Sequence, residues 1–101
     1  MIVYNITMKV DLSIENEWVQ WQREEHIPEI METGLFTEYK FFRLLEQDET
    51  EGITYVIQFF ASSMEKYQSY IEKYAPLLRK KAAEKWNDQF VGFRTIMQVV
   101  Q

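Results

Sequence analysis

The chain opens with a stretch in which apolar and polar residues alternate. Over residues 2–10 the apolar set is Ile2, Tyr4, Ile6, Met8 and Val10, and the other set is Val3, Asn5, Thr7 and Lys9. A period of two predicts a β-strand with one apolar face. Residues 35–46, 53–61 and 90–100 are rich in aromatic and branched residues and predict three more strands. An acidic turn that ends in glycine, residues 47–52, joins the middle pair into a hairpin.

The stretch after the first strand has the period of a helix. At about 100° per residue, one stripe is formed by Ile14, Trp18, Trp21 and Glu25. Pro28 is expected to end this helix, because proline lacks an N–H and disfavours helical geometry at the preceding residue. Residues 28–33 then form a short second turn, and Gly34 follows as a helix-terminating glycine.

A second helix is predicted to begin at a capping box formed by Ser62 and Glu65. Pro76 interrupts it and is expected to kink the helix or split it in two. The order β-α-β-β-α-β predicts a single α+β domain over residues 1–101. This is the ferredoxin-like arrangement, in which both helices cover one face of a four-stranded antiparallel sheet.

The sheet face away from the helices is expected to be too apolar to stay in water. If the Tyr4 side of the first strand lies under the helices, alternation in the last strand predicts that the helices also cover Val91, Phe93, Met97 and Val99. The opposite face then mixes apolar residues with Asn5, Thr7, Gln58, Arg94 and Gln98. Such a face predicts a homodimer through the sheets.

The polar members of that face have two interpretations. They line a ligand cavity, with Asn5, Gln58 and Arg94 as ligand-binding groups, or they pair across the dimer interface. Arg94 is the most informative of them, because a partly buried guanidinium needs an anion or several acceptors. Either a carboxylate within the dimer or a bound ligand would supply that anion.

Charge and composition narrow the function classes. The formal net charge of −5 and the pI near 4.9 argue against a nucleic-acid partner and against an anionic membrane surface. The lack of cysteine excludes disulfides and thiolate metal sites. No signal peptide and no apolar run of about 20 residues is present, so a cytoplasmic location is expected. With three glycines and no phosphate-binding loop, no cofactor is expected either.

His26 is the only histidine and the first candidate for chemistry. Near the end of the first helix it could exchange a proton with a substrate, since an unperturbed imidazole has a pKa of about 6.5. The alternative, favoured because histidines are common at helix ends, is a structural cation at a helix C-terminus. Glu25 lies on the tryptophan stripe, so it either needs buried partners or is solvated where the helix frays. His26 and Glu29 alone make a poor ligand set, and no metal site is predicted.

Several stretches also carry a resemblance. They are Glu17-Trp18 with Trp21, His26-Ile27-Pro28-Glu29, Thr33-Gly34-Leu35-Phe36, Tyr74-Ala75-Pro76 and Phe90-Val91-Gly92-Phe93-Arg94-Thr95. Together they resemble an uncharacterised family of short bacterial proteins that is classed as a domain of unknown function. More distantly, the chain is similar to the dimeric α/β-barrel superfamily, which includes small monooxygenases, isomerases and haem-handling enzymes. The resemblance implies a sheet-to-sheet dimer but no particular reaction, because this fold hosts many functions.

Two functional hypotheses follow. In the first, the protein binds a small aromatic or apolar organic molecule and carries out cofactor-independent chemistry of a monooxygenase or isomerase type. His26 then transfers the proton, and Arg94 and Asn5 anchor the molecule. In the second, the protein is a structural or interaction dimer without a ligand. An open pocket reached by His26, with Arg94 or Glu25 inside it, favours the first hypothesis, and a filled interior favours the second.

Overall fold

Four antiparallel strands and one layer of helices form the structure, a computed structural model that describes residues 1–101. The elements are β1 (Ile2–Asp11), α1 (Glu15–Trp21), a π-helical turn called here the π segment (Gln22–His26), α2 (Ile27–Met31), β2 (Glu38–Arg43), β3 (Gly52–Ala61), α3 (Met64–Lys73), α4 (Ala75–Trp86) and β4 (Phe90–Gln98). The strand order in the sheet is β2-β3-β1-β4. The predicted ferredoxin-like α+β fold is confirmed.

The core lies between the helices and one face of the sheet. Alternate residues of β1 and β3 point into it, among them Tyr4, Val10 and Phe59, as the period of two predicts. The Trp18 ring fills its centre, with ring centroids 5.4 Å from Tyr55 and 6.1 Å from Phe41. Full burial of large rings gives a chain of this length the apolar area that a stable fold needs.

The first helical region continues through Pro28, so the prediction that Pro28 ends the helix is wrong. Between Trp21 and Ile27 the chain makes a π turn, and the Ile27 N–H donates to the Gln22 carbonyl, five residues back. Pro28 follows directly, in the first turn of α2. The π turn accommodates the proline because it already interrupts the hydrogen-bond ladder that the ring would disturb. Gly34, with φ of 76°, ends the region as predicted.

The second helical region splits at Pro76, as predicted. α3 ends at Lys73, and α4 starts at Ala75 with the proline in its first turn. The cap at the start of α3 is Ser63 and not the predicted Ser62, since the Ser63 hydroxyl accepts a hydrogen bond from the Lys66 N–H. No helix of the protein has the length and apolar character needed to cross a membrane.

The face assignment predicted for β4 is wrong. The register pairs Arg94 with Ile6 and Phe93 with Thr7, and directly opposed residues in antiparallel strands share a face. Arg94 therefore lies on the helix-covered face. The uncovered face, called here the open face, carries Val3, Asn5, Thr7 and Lys9 of β1, Thr54, Val56, Gln58 and Phe60 of β3, Glu38, Lys40 and Phe42 of β2, and Val91, Phe93, Thr95 and Met97 of β4.

Candidate functional site

A cavity of about 60 Å³ lies between the helices and the covered face of the sheet. Its walls come from β1, β3, β4, α1, the π segment, α2 and α4, and most of them are apolar. The polar residues in the walls are Gln22, His26, Arg79 and Arg94. Because one water takes about 30 Å³ of liquid, the cavity has room for about two waters or for one small organic group.

The π segment turns Gln22 and His26 toward this cavity. A π turn holds one residue more than an α turn, so the residue five positions on takes the place that an α-helix gives to the fourth. His26 consequently stacks on Trp21, five residues before it, with ring centroids 4.5 Å apart and planes at 18°. Glu25, the residue four after Trp21, turns outward and is exposed.

The imidazole of His26 is kept neutral by its surroundings. Burial lowers the pKa of His26 from 6.5 to about 4, with further lowering by the charges of Lys81 and Arg94 and an opposing effect of Glu29. At neutral pH the side chain is therefore uncharged, and one ring nitrogen is available to accept a proton. A structural cation at a helix end would need the protonated form.

Two buried polar atoms that belong to residues of the cavity wall have no hydrogen-bond partner in the protein. They are the indole Nε1 of Trp18, a donor, and the side-chain Oε1 of Gln22, an acceptor. These side chains are 0% and 2% exposed. Buried polar atoms are normally paired, because an unpaired one costs about 1–3 kcal/mol. Trp86 Nε1 is also unpaired, but Trp86 does not line the cavity.

At the edge of the cavity, two arginines meet at one tyrosine hydroxyl. The Arg94 Nε donates to the Tyr4 hydroxyl at 3.0 Å, and an Arg79 terminal nitrogen donates to it at 3.1 Å. The Tyr4 side chain is buried, whereas both arginines reach solvent. Arg79 comes from α4 and Arg94 from β4, so the helix layer and the sheet edge are joined here.

The structure places the predicted site residues in three different regions of the protein. His26 and Arg94 line the cavity. Asn5 and Gln58 lie on the open face, where the Gln58 amide donates to the Asn5 side-chain oxygen at 3.2 Å. Joint anchoring of one molecule by Arg94 and Asn5 is therefore wrong, because the sheet lies between them. Glu25 lines a polar surface groove, which agrees with the solvated alternative.

Sequence reasoning missed Trp18, Gln22, Arg79 and Tyr4 as members of the site. Tyr4 and Trp18 follow ordinary core periodicity, and Arg79 stands in a run of exposed basic residues, so no pattern marks them. Gln22 carries the one usable signal, since it lies four residues after Trp18 and so near the buried stripe. No three His, Asp or Glu side chains come together as a metal-binding group.

Comparisons with solved structures reveal the same fold at low sequence identity. A protein of the ethyl tert-butyl ether d (ethd) family from Bacillus halodurans is 14% identical, with a TM-score of 0.72 over 99% of this chain and 100% of the other. A variant of SnoaB, a cofactor-independent oxygenase from Streptomyces nogalater, is 11% identical, with a TM-score of 0.70 over 99% and 94%. A dimeric ferredoxin-like protein from an uncultured marine organism is 11% identical, with a TM-score of 0.71 over 99% and 95%.

These identities show a shared fold and do not assign a reaction. A comparison with curated protein sequences finds no match. The family comparison covers residues 1–100, nearly the entire chain. The chain belongs to the family described as Domain of unknown function (DUF4286).

Proposed function

We propose that this protein binds a small organic molecule in the helix-covered cavity and exchanges a proton with it through His26, without a cofactor. The observation that carries the proposal is that two residues of the cavity wall have unpaired buried polar atoms, a donor on Trp18 and an acceptor on Gln22. A molecule with one acceptor and one donor satisfies both atoms. Apolar walls around a few polar groups are typical of small-molecule sites.

The cavity volume restricts the part of the molecule that is enclosed. About 60 Å³ is the volume of only about two waters, whereas an aromatic ring needs a cavity of about 150 Å³. A larger aromatic or apolar ligand therefore places only its reactive end inside. The remainder extends past Arg79 and Arg94, which reach solvent at the edge of the cavity.

The neutral form of His26 is the form that can remove a proton from the ligand, but its pKa of about 4 makes it a weak base that needs an acidic proton. The neutral imidazole accepts the proton, and the negative charge left on the ligand is stabilised by the nearby Arg94. The SnoaB comparison supports the proposal only in that another protein of this fold is named a cofactor-independent oxygenase. The cytoplasmic location stays a prediction from the sequence.

Native mass spectrometry of the protein purified from its own host tests the proposal. We expect a population with the added mass of a small organic molecule, and we expect Gln22→Met to lose it because methionine removes the acceptor at almost the same volume. Glu25→Gln is the matched control, since Glu25 is close in sequence but exposed. Equal retention of the added mass by Gln22→Met and by wild type would refute the cavity as the binding site.

We also propose that the open face is covered by a second copy of the chain. Its apolar side chains include Phe93, which is 61% exposed, and Val91, which is 69% exposed. Their burial would stabilise a dimer, and the hydrogen bond between Asn5 and Gln58 would be enclosed between the two sheets. The dimeric ferredoxin-like neighbour supports this arrangement. Light scattering that gives the mass of a monomer at micromolar concentration would contradict it.

A further inference from the structure

We infer that the molecule bound in the cavity carries a negatively charged oxygen, which Arg79, Arg94 and the Tyr4 hydroxyl hold together. The inference rests on the proposed function and adds the chemical class of the ligand. These three groups are called here the donor cluster. In the donor cluster both guanidinium groups donate a hydrogen bond to the Tyr4 hydroxyl oxygen, Arg94 at 3.0 Å and Arg79 at 3.1 Å.

The donor cluster has positive charge without a balancing acid. The ion pairs of the protein join Arg43 to Glu49, Lys80 to Glu84 and Lys81 to Glu29, and neither Arg79 nor Arg94 takes part in one. In a chain with 16 acidic and 11 basic residues, two neighbouring guanidinium groups without a carboxylate are unexpected. Like charges brought together repel each other, and an anion bound between them offsets this repulsion.

Hydrogen-bond donors also outnumber acceptors at this place. The Tyr4 oxygen accepts two hydrogen bonds, and its own O–H donates to no protein group. Both guanidinium groups keep further N–H donors, and Trp18, another residue of the cavity wall, has an unpaired N–H donor. Guanidinium forks match the oxygens of a carboxylate or an enolate, in short charge-assisted hydrogen bonds.

Two further polar residues of the cavity wall, Gln22 and His26, fix how the molecule is oriented. Gln22 Oε1 and the neutral His26 ring accept hydrogen bonds, so they face the end of the molecule that carries a hydrogen. The expected ligand is therefore a small acid, with a charged oxygen at the donor cluster and an O–H, N–H or acidic C–H near His26. The charge of Arg94 acts to lower the pKa of His26, which shows that Arg94 lies close enough to His26 to interact with it.

Acetate and acetamide are matched probes for this inference, because they share shape and size and differ in charge. Each probe is titrated into the protein at constant ionic strength, and the indole N–H resonances of the three tryptophans are monitored by NMR. We expect acetate to shift the Trp18 resonance with an affinity at least about tenfold above that of acetamide. Arg94→Gln and Arg79→Gln should each remove most of this preference, and Arg23→Gln, a charge loss at an exposed site outside the cavity, should leave it unchanged.

The outcomes separate the two proposals. Equal affinity for acetate and acetamide overturns the charge inference while leaving the cavity as a binding site. No shift of Trp18 with either probe overturns both. A carboxylate of a second copy could also fill the donor cluster; in that case acetate leaves Trp18 unchanged and Arg94→Gln weakens the dimer in light scattering, which again refutes the inference.

Discussion

Acidification is expected to destabilise this protein through the single histidine. In the unfolded chain His26 takes up a proton below about pH 6.5, whereas in the folded protein its pKa is lowered to about 4. Between these two values the unfolded state binds more protons, so stability falls as the pH falls through this window and levels off below about pH 4. At about pH 4.5 the loss from this one group amounts to about 2.5 kcal/mol.

Urea denaturation of the wild type and of His26→Phe measures this loss. Phenylalanine keeps a ring against Trp21 and cannot take up a proton, and the carboxylates that also titrate contribute equally to both proteins. We expect the wild type to lose about 2.5 kcal/mol more than the variant between about pH 7.5 and pH 4.5. Because the chain has one histidine, its imidazole resonance gives a second and independent readout. A titration midpoint near 6.5 would refute the reasoning.

Three further changes have defined outcomes. Gln22→Met should stabilise the ligand-free protein by about 1 kcal/mol in urea denaturation, because it removes an unpaired buried acceptor; a loss of more than about 1 kcal/mol would show that the amide is well paired. Phe93→Glu on the open face should weaken the dimer by at least about 100-fold in light scattering, and Leu77→Glu, an equally exposed site on α4, should not. Gly92→Ala should cost about 2 kcal/mol of unfolding free energy, since its Cβ would lie 2.5 Å from the Thr7 carbonyl oxygen; an unchanged denaturation midpoint would contradict the close pairing of β1 with β4.

Much of the fold follows from the sequence because its periods are clear. β1 and β3 alternate cleanly, and each is found within one residue of its predicted bounds. β2 is shorter than predicted, Glu38–Arg43 in place of residues 35–46, because its apolar residues do not alternate and so leave its ends undefined. Pro76 divides the second helical region as expected, since α4 starts one residue before it.

The site was harder to predict, because two local features change which residues face inward. In β4, both the odd-numbered and the even-numbered residues include apolar side chains, so matching Val91, Phe93, Met97 and Val99 to the apolar face of β1 chose the wrong face. The register buries Phe90 against the core, and Arg94 is tolerated beside it because β4 is an edge strand that lets the guanidinium reach Tyr4. A search for the helical period in the sequence does not reveal the π segment. Yet because of the π segment, His26 and not Glu25 faces inward and stacks on Trp21.

The central claim is that Trp18 Nε1 and Gln22 Oε1 face a ligand. A high-resolution crystal structure of the protein purified from its own host tests this claim most directly. We predict continuous electron density for an organic molecule that hydrogen-bonds both atoms and extends toward Arg79 and Arg94. A single ordered water that bridges the two atoms, with the rest of the cavity filled by side chains, would contradict the account.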